Sequence, residues 1–458
     1  MQPDEFRRHG HAIIDWIAEY QSKIRDYPVV PPTTPGALVD ALPATGPAEP
    51  EAMEQILRDF EALIMPGVTH WNHPRFHSFF AISSSPPGVL AEALTAALNM
   101  QHMLWKSGPA GTELEQVTLA WLIDWMGLKP GWFGEIFDTA SVSTLHGIAA
   151  AREFVAPDSR AKGNPAGLTV YCSQWAHTSV DKAVIMLGIG HDNLRRIEAD
   201  SQYRMKPAAL AEAIREDRAA GRTPICVVPT VGTTGVTSVD PVAEVVRIAR
   251  AENMWVHVDA AYGGAAAVVP EFRHYLDGVD EADSMVVNPH KWLFTPVDLS
   301  CFYTRRPDIV RRAFSLVPDY LKYEEDPRLV NLMDYGLPLG RRFRSLKLWF
   351  AMRYYGHEGF INMIRNHVCW AHRLADLIAA DARFELAAPV TMGLVCFRLK
   401  SSDDATRALV EAINDSGFAF LSQTTVDGKY TIRWAIGTFG CTWDDVEAVW
   451  QRVLSTVA

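Results

Sequence analysis

The stretch "SMVVNPHKWLFTP", Ser284 to Pro296, closes an apolar run at Asn-Pro and then sets His290, Lys291 and a tryptophan side by side. A lone lysine behind a strand normally snorkels its ammonium to solvent. Beside Asn288 and His290, which add hydrogen-bonding groups at the same strand end, Lys291 reads instead as an amine in a partly desolvated site, the setting a Schiff-base lysine requires. A second apolar run, "WVHVDAAY", reaches Asp259 after four residues of strand character. A carboxylate there commonly caps the following turn. Ala260 and Ala261, however, leave room for a flat ring against the backbone, and a carboxylate at the edge of such a ring can hold a ring nitrogen protonated.

His177, in "YCSQWAHTSVDKA", lies at another expected strand end. A single histidine is more often structural, but here it can stack on the opposite face of the ring or handle a proton near neutral pH. "DTASVSTLHG" (138–147) places small hydroxyl residues just before a helical run, where backbone N–H groups bind phosphate. Thr233 and Thr234 in "VGTTG" add hydroxyl donors. Each signal alone is weak. An amine, a carboxylate, a stacking histidine and a phosphate cradle together point to one cofactor, pyridoxal phosphate, whose protonated pyridine ring is an electron sink.

The elements that must position these groups alternate regularly. "GLTVYCS" (167–173), "PICVVPTVG" (224–232), "WVHVDAAY" (255–262) and "SMVVNPH" (284–290) are β-rich apolar runs, with helical patterns between them. Strands apolar on both faces predict a mostly parallel sheet covered on both sides, with ligands at its carboxyl edge. Residues 4–26 read as an amphipathic helix with Ile13, Ile17, Tyr20 and Ile24 on one stripe, and the proline-rich segment after it reads as an arm or linker. From about 345, a long helical stretch (345–380), "TMGLVCFRLK", a helix at 403–416, "KYTIRWAIG" and a last helix from Asp444 suit a small α+β lobe. The expected division is an N-terminal arm and linker (1–75), a large domain (76–344) and a small C-terminal domain (345–458).

Of the 458 residues, 48% are hydrophobic and 21% charged, a globular profile. A net charge of −11 argues against a general nucleic-acid binder. No apolar run approaches the ~18 residues of a membrane span, and "MQPDEFRRHG" has no signal-peptide core. Six scattered cysteines without a C-x-x-C pair give no zinc or redox motif, so no metal is expected and the cytoplasm is the default location.

Beyond these readings, the chain resembles the group II pyridoxal-phosphate decarboxylases of the aromatic-L-amino-acid decarboxylase type. "EFRRHG", "IMPGVTHWNHP", "AHTSVDKA", "HVDAAYGG", "NPHKW", "PLGRRFRSLK" and "GLVCFRLK" carry the likeness nearly end to end. The resemblance implies an aspartate-aminotransferase-like α/β fold (fold type I), a homodimer, and decarboxylation of an aromatic L-amino acid to its amine. It implies that Lys291 binds the cofactor carbonyl, Asp259 pairs with the pyridine nitrogen, and Ala261 and His177 sandwich the ring. Ala140, Ser141, Thr234, Asn288 and His290 match positions at or around the cofactor phosphate. Tyr320 matches the loop tyrosine that protonates the α-carbon after CO2 leaves.

On the substrate side the resemblance implies an aromatic wall of Trp71, Phe79 and Phe80. Ala81 and Ile82 depart from the proline and threonine of the animal dopa decarboxylases, and Gln101, His102 and Met103 depart from a smaller, more apolar set. Gln101 and His102 are expected to face the distal end of the substrate ring. Gly340 matches a glycine shared by enzymes that accept indoles or catechols. The nearest rival is an aldehyde synthase of the same family, which Tyr320 argues against, since those enzymes often carry phenylalanine there. An aminotransferase and a non-catalytic cofactor-binding protein are the remaining alternatives.

Overall fold

The computed structural model describes residues 1–316 and 329–457. Along the chain the strands are β1 (Phe76–His77), β2 (Phe133–Phe137), β3 (Leu168–Ser173), β4 (Leu194–Ile197), β5 (Thr223–Val228), β6 (Trp255–Asp259), β7 (Ser284–Val287), β8 (Ser300–Thr304), β9 (Phe384–Leu386), β10 (Leu394–Leu399), β11 (Phe420–Val426) and β12 (Lys429–Ala435). The helices that bear on the argument are α1 (Pro3–Ser22), α2 (Pro109–Trp125), α3 (Ala140–Val155), α4 (Pro289–Trp292) and α5 (Ser345–Ala380).

Compactness divides the chain into two units. One contains Met1–Ala81, Asp376–Ala387 and Phe397–Ala458; the other contains Ile82–Ala375 and Ala388–Cys396. The boundaries differ from those expected from the sequence. The N-terminal residues group with the C-terminal ones because β1 pairs in parallel with β11, Val29 N–H donates to Gly417 C=O at 2.7 Å, and Arg25 forms an ion pair with Asp445 at 2.8 Å. The first part of α5 belongs with the large sheet instead, since Leu346, with Phe350 against it, packs with Ala91 and Phe343. A break at Gly356 (φ 63°) lies within α5.

The larger unit is built on a seven-stranded sheet of order β2-β8-β7-β6-β5-β3-β4. β4, β3, β5, β6 and β7 run parallel, while β8 is antiparallel to both β7 and β2. Every residue of β3, β6, β7 and β8 is buried, as a sheet covered on both faces requires. α3 lies close against β6. A Cβ on Gly147 would stand 2.5 Å from His257 Nδ1, so only glycine lets the helix approach this near. That approach brings the start of α3 to the sheet edge where β3, β6 and β7 end. β8 is antiparallel, so its first residue, Ser300, lies at that same edge, opposite Phe137 at the end of β2.

The smaller unit carries the five-stranded sheet of order β1-β11-β12-β10-β9. The amphipathic helix expected over 4–26 forms as α1, with a short 3-10 turn over Ile24–Asp26. Its stripe is only partly covered: Ile24 is buried and Ile17 and Tyr20 half-buried, but Ile13, Ile14 and Phe6 are exposed.

Candidate active site

Two backbone hydrogen bonds lace the ends of β6 and β7 together: Ala260 N–H to Val286 C=O and Asn288 N–H to Ala261 C=O, both 3.1 Å. Asp259 is buried, and its Oδ1 accepts the Ala261 N–H at 3.1 Å, which fixes the carboxylate against the turn. Ala260 and Ala261 are buried small residues beside it. Past β7 the chain makes the single turn α4. Trp292 is buried there, stacked on Tyr262 with ring centres 4.7 Å apart, and its indole N–H donates to His367 Nδ1 at 3.0 Å. This anchored ring holds the turn in place, and Lys291, the residue before it, stays half-buried.

His177 follows β3 and is exposed, with Nδ1 accepting the Ser179 N–H at 3.1 Å. Partial desolvation lowers its pKa below the usual histidine range; Asp259 pulls the other way and Lys291 adds to the lowering. Asp259 after β6 and Lys291 after β7 are thus near enough to act on His177 after β3. Ala140 and Ser141 open α3, whose N-cap, Thr139, makes no side-chain cap bond. Thr234 is exposed, whereas Thr233 is buried and bonded to Ser238 Oγ at 2.8 Å.

Asn288 and His290, expected at or around the cofactor phosphate, lie behind the strand end. Both side chains are buried and bonded within the protein. The Asn288 amide lies 2.7 Å from Ser300 Oγ and 3.2 Å from His290 Nε2, while His290 Nδ1 accepts the Leu299 N–H at 2.9 Å. Burial, with Lys291 and Lys347 adding to it, pushes the His290 pKa down to about 3, so the ring is neutral.

The substrate-side residues also divide. Gln101 is exposed, and its Oε1 accepts the Arg341 N–H at 2.9 Å; a Cβ on Gly340 would meet that same oxygen at 3.5 Å. His102 turns inward, against the expectation that it faces a substrate ring. It has no exposed surface, it packs over Gly108 and Gly111, and its Nε2 lies 3.1 Å from Glu115 Oε2. Met103 is half-buried against Leu104 and Met333. Trp71, Phe79 and Phe80 belong to the smaller unit. There Trp71 and Phe79 stack with centroids 5.6 Å apart and are exposed, while Phe80 is buried with the Arg433 guanidinium 5.1 Å from its ring centre. Tyr320 lies outside the described residues.

Sequence reasoning missed the charge cluster that receives His102. Arg341 donates to both Glu115 and Glu135, and all three side chains are buried. The signal was a glutamate inside the apolar strand "FGEIF". Burial raises both carboxylates. At Glu115 it is outweighed by Arg341, His102 and the Ile136 N–H, which hold the group below its ordinary range. At Glu135 burial prevails and lifts the pKa to about 8. One arginine thus balances one ionised carboxylate, and Glu135 keeps its proton at neutral pH.

A folded-state pKa raised above the ordinary 4.5 contributes stability that is complete below that value and is lost as pH rises toward about 8. In that window the slope reaches about 1.4 kcal/mol per pH unit. Glu135→Gln keeps an acceptor for Arg341 without the titration. Urea midpoints at pH 5.5 and pH 8 should therefore fall less steeply in the variant than in the wild type, and identical slopes would remove Glu135 as the titrating group.

A carbonyl-reactive amine, a buried carboxylate beside an alanine floor, and a helix start left uncapped by its own side chain fit the aldehyde, ring nitrogen and phosphate of pyridoxal phosphate. Comparison with known proteins agrees. The pyridoxal-dependent decarboxylase conserved domain matches residues 35–400. The chain is similar to an aromatic-L-amino-acid decarboxylase of Sus scrofa, 40% identical over all of this chain and 97% of the relative. It superposes on the crystal structure of Oryza sativa TDC with PLP and tryptamine with a TM-score of 0.97 at 34% identity, covering 100% and 98% of the two chains. It superposes on Rhodiola rosea 4-hydroxyphenylacetaldehyde synthase with a TM-score of 0.93, also at 34% identity and 100% and 98% coverage. The chain belongs to the pyridoxal-dependent decarboxylase family.

Proposed function

We propose that the protein removes CO2 from an aromatic L-amino acid and releases the arylalkylamine, with Lys291 as the lysine that holds the cofactor. The placement of Lys291, Asp259 and His177 after three strands of one sheet, near enough for the first two to act on the histidine, supports this reading most directly. The relatives named for aromatic amino acids and their amines supply the substrate class. When bound, pyridoxal phosphate supplies an electron sink for the pair left behind by the departing carboxylate.

The chain's own residues do the rest. Lys291 Nζ is the primary amine that would hold the cofactor through its carbonyl. Asp259 has Oδ1 committed to Ala261 N–H, and its other oxygen would keep a proton on the ring nitrogen. His177, whose pKa is lowered by burial, would stack on the ring without adding a second cation beside Lys291. Ala140, Ser141 and Thr234 would take the phosphate, and Ala261 forms the opposite face. Borohydride should fix the cofactor onto the peptide containing Lys291, and Lys291→Ala should lose turnover. Amine, aldehyde and CO2 measured together across tryptophan, 5-hydroxytryptophan, dopa, tyrosine and phenylalanine test the reaction. Labelling at another lysine, or no CO2 from any of the five, would overturn it.

Tyr320 is the proposed acid that protonates the former α-carbon, a role that a phenyl ring cannot fill. General-acid help is worth roughly 10²–10⁴-fold. Tyr320→Phe should cut amine yield by that order while CO2 release persists, with aldehyde and peroxide rising together in oxygenated buffer. Near wild-type amine formation would assign the proton to another residue.

The protein is further proposed to act as a homodimer in the cytoplasm. All six cysteines are free, and no helix among the described residues is long and apolar enough to cross a membrane. α1 exposes Phe6, Ile13 and Ile14 beside an apolar groove of about 480 Å³ that Trp16, Ile17, Leu57 and Phe60 help to line. A second copy of the chain would cover this surface. Deleting residues 1–26 should weaken association and activity together in sedimentation and turnover assays; a fully active wild-type monomer would refute the dimer.

A further inference from the structure

Behind Lys291 runs a chain of buried side-chain hydrogen bonds. Ser143 Oγ, in the first turns of α3, meets Ser300 Oγ at the start of β8 at 2.8 Å. Ser300 Oγ reaches the Asn288 amide at 2.7 Å, and that amide reaches His290 Nε2 at 3.2 Å. His290 Nδ1 closes the chain on Leu299 N–H at 2.9 Å. No member is more than 3% exposed, so water does not compete for any link.

The topology gives this chain its meaning. The start of α3 carries Ala140 and Ser141, and the turn α4 carries Lys291. The two come from different layers, helix and sheet edge. Ser300 stands between them because β8 is antiparallel: it lies opposite Phe137, which leads into α3, while its neighbour Cys301 lies opposite Val287, which leads into Asn288. Asn288 in turn holds Ala261 C=O through its backbone N–H and accepts the Lys291 N–H at 2.9 Å through its C=O. A loose Asn288 amide would release the floor alanine and the lysine turn at once.

We propose that Ser300 and Ser143 are positioning residues which, through the Asn288 amide, set the lysine turn against the helix start that would take the cofactor's phosphate. The inference rests on the assignment of Lys291 and α3 to pyridoxal phosphate. Both serines bond only within the protein, Ser143 to Ser300 and Ser300 to the Asn288 amide.

The test uses the full chain and pyridoxal phosphate itself, with Ser300→Ala, Ser143→Ala and the double variant. Three quantities are read: the cofactor dissociation constant, the pH midpoint of the bound cofactor's visible absorption, and the melting temperature of the cofactor-free protein. A lost buried hydrogen bond should raise the dissociation constant roughly three- to tenfold in Ser300→Ala, and the pH midpoint should move with it. Because the serines act through one amide, the double variant should match Ser300→Ala rather than multiply the two single effects. A purely structural role would lower the melting temperature and leave the pH midpoint in place. Unmoved dissociation constants and midpoints, or strictly multiplicative effects, would overturn the proposal. If Ser300→Ala does not fold, Ser143→Ala must move the same two readouts or the proposal fails. Borohydride labelling of the wild type separates the two levels: no label on Lys291 defeats the cofactor assignment, whereas a labelled wild type with unmoved variants defeats only the serine chain.

Discussion

The hydrogen bond from Asn288 N–H to Ala261 C=O joins the turn that carries Lys291 to the turn that carries Asp259. β6 and β7 are parallel neighbours, so their residues leave the sheet in the same direction, and without a tie the two loops could splay apart. This one bond, with its companion from Ala260 to Val286, ties the backbones of the two turns together. The rest of the larger unit serves that geometry. The glycine at 147 lets α3 come close, the buried tryptophan at 292 fills the space behind the lysine, and the antiparallel β8 brings a hydroxyl to the same edge.

Charge placement around this unit follows one rule: cations behind the site are matched, and the histidine beside the lysine is neutral. Lys347, wholly buried, pairs with Glu92 at 2.5 Å; Arg344 pairs with Asp298 at 2.9 Å; Arg341 pairs with ionised Glu115 and also donates to neutral Glu135. Buried pairs of this kind add little net stability, because desolvation offsets the attraction. What they give is fixed direction. An unmatched cation near Lys291 would depress its proton affinity through space, and pairing confines that influence.

Much of this was legible in the sequence because parallel strands buried on both faces announce themselves as apolar runs. The ends of β3, β6 and β7 fall within the runs that end at Ser173, Tyr262 and His290, and polar residues gather there as such an edge requires. Three things were not legible. β8 is short and antiparallel, and nothing local in "SCFYT" shows on which edge Ser300 will lie. His102 reads as a pocket residue only until its partner Glu115, 13 positions away on α2, is seen to hold it inward. The division into units depends on contacts such as Arg25 with Asp445, which join residues 420 positions apart and leave no periodic trace.

Gly340 has a quieter implication. Its backbone is not in the left-handed region, and a Cβ there would meet only the Gln101 carboxamide at ordinary van der Waals distance. Glycine is therefore not demanded by the fold at this position. The neighbouring Arg341 is pinned from both sides, by Gln101 at its N–H and by Glu115 and Glu135 at its guanidinium, so the backbone would hold its course under a small substitution. A rigid strut beside an optional side chain is an adjustable part. The volume at this point can change by a single-residue step without rebuilding the scaffold around it.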